Sequence, residues 1–200
     1  MLSHNKKSGI INYMKKENFP AKGARLDPSG QGPASGWSVT SLVNNDGCFD
    51  LQFRKDTRRE RTNSPTYYRW KAQFVITAQK ENIKLLEKVK KEIGCGEITI
   101  SKDQARLSVQ KIDDISEIVA PYFRKNSLAE KKKKDFELWA KGVEIIKKNK
   151  GKPISNWKKN ELCSLIEIHK SSAKYKSRPR AAKWIDMAKT ISRQSKFVAQ

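Results

Sequence analysis

Residues 36 to 49 read GWSVTSLVNNDGCF. An apolar-periodic run, SVTSLVNN, stops at Asp46-Gly47 and leaves through Cys48-Phe49 into an alternating stretch. The run predicts a short helix that ends before Gly47, with the glycine suited to a C′ position of positive φ. CFDLQFRKD then alternates Phe49, Leu51 and Phe53 with Asp50, Gln52 and Arg54, the pattern of a half-buried strand with one polar face. An Asp-Gly pair in isolation is an ordinary hairpin turn. Here it joins a helix to a strand, and its meaning depends on the elements around it.

Downstream, a charged loop, TRRERTNSP, separates this strand from a second, YYRWKAQFVIT, with Arg69, Lys71 and Gln73 on one face and Tyr68, Trp70, Ala72 and Phe74 on the other. ENIKLLEKVKKEIG predicts an amphipathic helix with Ile83, Leu86, Val89 and Ile93 inward and Gly94 as its stop. EITI and ARLSVQKI read as two short strands about a polar turn. Asp113 or Asp114 is a candidate cap for the helix ISEIVAPYF. FELWAKGVEIIKK is a further helix, Ser155 a candidate cap for WKKNELCSLIEIHK, and a last helix covers roughly 179 to 191. The expected fold is α+β, in the order αββαββα: one four-stranded antiparallel sheet with helices on one face, followed by a helical tail. Residues 1–35 hold four of the ten glycines and three of the seven prolines without periodicity, which reads as a flexible basic leader. Residues 36–150 form the expected core, and 151–200 a basic helical extension.

Charge narrows the partner. The chain of 200 residues has 43 Lys and Arg against 21 Asp and Glu, a formal net charge of +22. Such an excess repels itself in a compact molecule and is relieved by a polyanion, whose phosphates exchange condensed counterions for protein cations. Residues 124–200 carry 22 positive and 7 negative side chains, so the second half is the stronger electrostatic footprint. Three widely spaced cysteines, Cys48, Cys95 and Cys163, imply neither a disulfide framework nor a zinc ribbon. No apolar run approaches a membrane span of about 18 residues, and no secretory signal is present. The basic, Ser-containing N-terminus leaves a transit peptide open. Gly94-Cys95-Gly96 lacks the third glycine and preceding strand of a dinucleotide fingerprint and reads as a tight turn. His4 and His169 are isolated, and the tryptophans at 70, 139, 157 and 184 read as packing anchors.

This arrangement resembles the LAGLIDADG homing endonucleases over about Gly36 to Lys150. Laid on the nine-letter motif, Val39 to Gly47 read V-T-S-L-V-N-N-D-G, with Leu42, Val43, Asp46 and Gly47 matching and Cys48-Phe49 as the exit into the first strand. FVITAQKENIKLLEKVKKEIGCGEI looks like the family's second strand, helix and Gly-x-Gly turn. IVAPYF and KKKKDFELWAKGVEIIKK look like its closing helix, lysine-bearing loop and next helix. The family's first motif acid is Asn44 here, at a position that usually caps or packs. Asn45 stands where Ala or Gly is common, and Thr40-Ser41 replaces Ala-Gly.

The resemblance implies a mechanism. Two motif helices pack side by side through small faces, here Ser38, Ser41, Leu42 and Asn45, and each delivers one carboxylate, Asp46, beside Gly47 to hold Mg²⁺, with Mn²⁺ as substitute. Hard cations of this kind take carboxylate and phosphate oxygens. SLIEIHKSS and KWIDMAKTI contain no Asp-Gly, so the chain has one motif, and a homodimer on a near-palindromic double-stranded DNA site is implied. The family's lysine beside the scissile phosphate falls in the run Lys131 to Lys134, at Lys131 or Lys132, although such a run is more often a solvated face or loop. The polar residue ending the second strand falls at Ala78 or its neighbour Gln79.

Alternation puts Asp50, Gln52, Arg54, Arg69, Lys71, Gln73 and Val75 on the exposed face of the sheet, joined by Thr99, Ser101, Arg106 and Ser108, and the resemblance implies that this face reads DNA. Arg58, Arg59 and Arg61 lie in the hairpin loop, and the basic run YKSRPR, 175 to 180, is a candidate phosphate contact. The expected activity is site-specific, metal-dependent double-strand DNA cleavage by an intron-encoded protein of a mitochondrion or chloroplast. The alternatives are a maturase that uses the same fold on its own intron RNA, and a DNA-binding regulator on that fold without cleavage.

Overall fold

The computed structural model describes residues 38–57, 66–176 and 185–194. The expected leader, the arginines at 58, 59 and 61, Trp184 and most of the 175–180 run lie outside them. Helix α1 (Val39–Asp46) starts at Ser38, whose hydroxyl accepts the Ser41 N–H at 3.1 Å, the usual N-cap bond. Val39 and Val43, four apart, are its fully buried residues. Strand β1 (Gly47–Thr57) continues directly from it without a connecting residue, then β2 (Thr66–Gln79), a 3₁₀ turn (Lys80–Asn82) and α2 (Ile83–Ile93). Gly94 ends α2, the stop the sequence anticipates, at φ 89° in the left-handed region. Strands β3 (Glu97–Ser101) and β4 (Gln104–Val109) complete an antiparallel sheet of order β1-β2-β4-β3. β1 and β3 are therefore its edges.

The strand alternation separates the faces as expected. Phe49, Leu51, Phe53, Trp70, Ala72, Phe74, Ile76, Ala105, Leu107 and Val109 are all buried on the helix side. Phe49 is the aromatic hub, with ring centroids 5.1–5.4 Å from Phe74, Phe123, Phe136 and Trp139. Such a cluster adds edge and stacking contacts to plain area burial. It fixes the helices that carry Phe123 and Phe136 over the start of β1, where the motif helix ends.

Three local expectations need correction. Gly47 has φ −77° and ψ 147°, an extended conformation open to any residue. Its requirement is steric: a Cβ there would stand 2.6 Å from Val43 Cγ1 and 2.7 Å from Val43 O. Neither Asp113 nor Asp114 caps a helix. α3 (Ile112–Asp114) begins after Lys111 and continues through a π-helical segment (Ile115–Val119) into α4 (Ala120–Lys125). Asp113 instead accepts from Lys147 and Lys150, which hold its carboxyl down at about 2. Ser155 caps nothing either, since it lies in a 3₁₀ turn (Ile154–Asn156) before the buried Trp157. The helix expected there starts later, at Lys159, and Glu161 reaches back to the Lys158 N–H at 3.3 Å.

A fourth correction bears on function. The lysine run Lys131 to Lys134 is not a loop but the first turns of α5 (Glu130–Lys148). α6 (Lys159–Ser172) packs on α5, a 3₁₀ turn (Ala173–Tyr175) comes next, and α7 (Ile185–Gln194) packs on α6 through Ala188 and Ser192. No described helix is long and apolar enough to cross a membrane.

Candidate active site

The site is built where α1 hands over to β1. Asp46 is the last residue of α1 and is exposed, while Gly47 beneath it is buried. Asn44, two residues before Asp46, accepts the Ala129 N–H on its side-chain oxygen at 3.0 Å. It thereby ties the end of the motif helix to the start of α5. An amide performs this bond as well as a carboxylate, so the replacement of the family's acid leaves the joint intact.

α5 then projects Lys132, Asp135 and Trp139, at spacings of three and four, toward the same stretch of β1. Lys132 Nζ donates to the carbonyl oxygen of Gly47 at 2.7 Å, and Trp139 Nε1 donates to that of Asp50 at 3.1 Å. Of the two lysines the sequence leaves open, Lys132 reaches the motif; Lys131 is exposed. Burial pulls the Lys132 ammonium below the usual lysine range, and Asp135, Cys48 and Asp46 push it back toward the charged form. Cys48 lies beside this cluster, its thiol pushed up by burial. Gln79 is exposed at the end of β2, paired with Gln104, three residues beyond the Ile76 that faces Gly47. Thr77, half-buried and opposite Arg106, is closer to that row and carried no signal in the sequence.

The polar face of the sheet runs outward from here. Gln52, Arg54, Arg69, Lys71, Arg106, Thr99 and Ser101 are exposed or half-buried on it. Asp50, Gln73, Val75 and Ser108 share the face by register but are buried, at 4, 4, 7 and 6% exposure. Alternation assigns a face and not an accessibility: Gln73 Nε2 donates to Asp50 Oδ2 at 2.8 Å, so these two are engaged with each other across the strands. Arg54 stands directly opposite Arg69, which pairs with Asp56. Burial, then Arg54 and Arg69, pull the Lys71 ammonium below its usual range. Arg106 Nε is buried without a hydrogen-bond partner. A face of crowded like charges with an unsatisfied guanidinium nitrogen suits an anion better than it suits the isolated chain.

Around α1, Ser38, Ser41 and Asn45 are exposed, while Leu42 is half-buried and packs partly against the core that takes Val39 and Val43. Asp135 carried no expectation from sequence, and Lys176, read there as part of the candidate phosphate contact at 175 to 180, is turned inward instead, its side chain 13% exposed. Lys176 Nζ donates to Asp135 Oδ1 and Oδ2 at 3.1 and 3.3 Å and also to the carbonyl of Phe49. The available signal was Asp135 itself, a carboxylate on the inward stripe of α5 between Lys132 and Trp139.

Residues 41–143, just over half of the chain, match the family model described as LAGLIDADG endonuclease. A segment of 105 residues is 30% identical to "Probable intron-encoded endonuclease 3" of Neurospora crassa, covering 52% of this chain and 19% of that protein. The chain therefore spans about a fifth of that relative's length. Among solved structures, the homing endonuclease I-TnaI aligns with a TM-score of 0.57 at 21% identity, over 76% of this chain and 95% of that one. The meganuclease I-AabMI bound to uncleaved DNA aligns with a TM-score of 0.54 at 21% identity, over 74% of this chain and 47% of that one. At such identities the likeness is one of fold, and the αββαββα sheet described above is that fold.

Proposed function

Since the chain belongs to the LAGLIDADG endonuclease family, we propose that it is a site-specific DNA endonuclease that cuts both strands by divalent-metal-dependent hydrolysis. The observation that carries this is the meeting of exposed Asp46, the Gly47 carbonyl and the Lys132 ammonium at the rim of a basic, polar sheet. The Gly47 carbonyl already accepts from a cation there, and Asp46 adds a second oxygen donor. An oxygen-only set suits Mg²⁺, with Mn²⁺ as substitute. Asp46 and Gly47 are the residues that would hold the ion. When bound, such an ion activates water and neutralises the leaving oxygen of the phosphodiester. Lys132 offsets charge developing on the scissile phosphate. Arg54, Arg69, Lys71 and Arg106 grip and read the duplex.

One chain is insufficient for this chemistry. The chain carries a single copy of the motif and therefore one acid of this kind, Asp46. A second Asp46 from a second copy completes the site when two α1 helices meet through Ser38, Ser41, Leu42 and Asn45. The coverage supports this reading, since the chain corresponds to nearly all of I-TnaI but to about half of I-AabMI. The homodimer then spans a long, near-palindromic site and leaves 3′ overhangs. Its gene lies in an intron of an organelle genome. Leu42→Lys is expected to yield monomers by sedimentation.

The decisive experiment is cleavage of the intronless host junction, or of a randomised palindromic library, by the wild type and Asp46→Asn in Mg²⁺ and in Mn²⁺. Cutting by the wild type alone, with equal DNA affinity for both proteins in Ca²⁺, is the expected result. DNA binding without cutting in either metal overturns the endonuclease reading.

A further inference from the structure

β1 is an edge strand paired along its length with β2, and two carbonyls of its first residues are also gripped by lysine side chains. Lys132 holds the Gly47 carbonyl from α5. Lys176 holds the Phe49 carbonyl from the middle of the extension, 127 residues away in sequence. Between the two lysines lies Asp135, one turn along α5 from Lys132. Its side chain is 3% exposed, and that of Lys176 is 13% exposed. Lys176 lies outside residues 41–143, the span that matches the family.

Lys132 and Asp135 sit at i and i+3 on one helix, close enough to form an ion pair of their own. A buried carboxylate takes whatever cation is in reach, because leaving it unpaired is costly. Lys176 satisfies Asp135 with both carboxylate oxygens engaged. Lys132 is thereby left to the Gly47 carbonyl. The electrostatics agree with the geometry: Asp135 is the strongest charge acting on Lys132, and Lys176 acts on it in the opposite sense.

We propose that Lys176 is a positioning residue of the active site, which occupies Asp135 so that Lys132 stays on Gly47 beside the motif acid. The C-terminal extension is then part of the catalytic apparatus. Without Lys176, Asp135 draws Lys132 off Gly47, and removing the Asp135 charge as well releases Lys132 again. This inference rests on the endonuclease reading for its effect on cleavage, but its effect on Lys132 does not need cleavage.

The test uses the full chain with Lys176→Met, Lys176→Arg, Asp135→Asn and the double variant Lys176→Met/Asp135→Asn. Single-turnover cleavage is expected to fall about 100-fold in Lys176→Met, to stay near wild type in Lys176→Arg, and to recover to within about tenfold of wild type in the double variant. Recovery by a second substitution excludes a simple loss of packing, and the Lys132 resonance separates movement of Lys132 from mere relief of an unpaired buried Asp135. DNA affinity in Ca²⁺ is expected to be unchanged throughout. In parallel, the Lys132 ammonium resonance in ¹H–¹⁵N spectra, assigned with Lys132→Arg, shifts in Lys176→Met and returns in the double variant. An unshifted Lys132 resonance in Lys176→Met, or a double variant as impaired as the single, overturns the proposal. A wild type that does not cut overturns the endonuclease reading, and the ammonium resonance then decides the role of Lys176 by itself.

Discussion

Gly47 and Asn44 show how single residues of the motif act through contact distances. The Cβ of an alanine at 47 would stand 2.6–2.8 Å from three atoms of Val43, two of them backbone. Backbone cannot rotate away as a side chain can, so α1 must shift against β1. Gly47→Ala is expected to cost about 1–3 kcal/mol, the usual range for overpacking, read as a lower urea midpoint at unchanged m. Asn44 makes one bond, from Ala129 N–H to its side-chain oxygen at 3.0 Å. Asn44→Ala removes it and is expected to cost about 1 kcal/mol by the same measurement. Asn44→Asp keeps an acceptor in place and is expected to match the wild type.

At the scale of elements, hydrophobic periodicity carried most of the fold. β1, β2 and α2 were legible because their apolar positions repeat at two or at three to four, and Gly94 marked the stop of α2. α5 was read only from Phe136 onward, since its first turns, Glu130 to Lys134, contain no apolar residue to betray a helix. The motif and its spacing pointed to Asp46 and Gly47 and narrowed the lysine only to Lys131 or Lys132; the contact from Lys132 to the Gly47 carbonyl needed the structure. The place of Lys176 was not legible, because a contact across 41 residues to Asp135 leaves no local pattern. The extension has one titration that reports its docking. His169 of α6 lies against Trp70 of β2, ring centroids 6.3 Å apart, and burial holds its imidazole below the ordinary 6.5. Asp50 opposes that shift and Lys176 adds to it. Between the lowered folded value and 6.5 the unfolded chain binds the extra proton, so stability rises with pH across that window. The contribution is therefore complete above about pH 6.5 and is lost as the pH falls toward the folded value. Thermal midpoints are expected to drop over this interval in the wild type, and His169→Phe is expected to remove that component of the slope.

For the whole molecule, charge sets stability against function. The net +22 favours expansion of the free protein and attraction to a polyanion. The conflict is concentrated at Arg54 and Arg69, which face each other directly across β1 and β2. Like charges in that position are destabilising by a few tenths of a kcal/mol to about 1 kcal/mol, and a fold selected for stability alone would not retain them. On the duplex proposed as the partner, phosphate or base-edge acceptors between the two guanidiniums would turn the repulsion into an attraction. Arg54→Thr is therefore expected to move two quantities in opposite directions. The free protein becomes more stable by up to about 1 kcal/mol in urea denaturation. DNA affinity weakens, and if Arg54 contacts a phosphate, the slope of log K against log salt becomes shallower by about 0.9. A variant that weakens binding with an unchanged salt slope instead places Arg54 on a base edge, where the loss is confined to particular sequences at its position. Equal stability and equal affinity in the variant would remove Arg54 from the interface altogether.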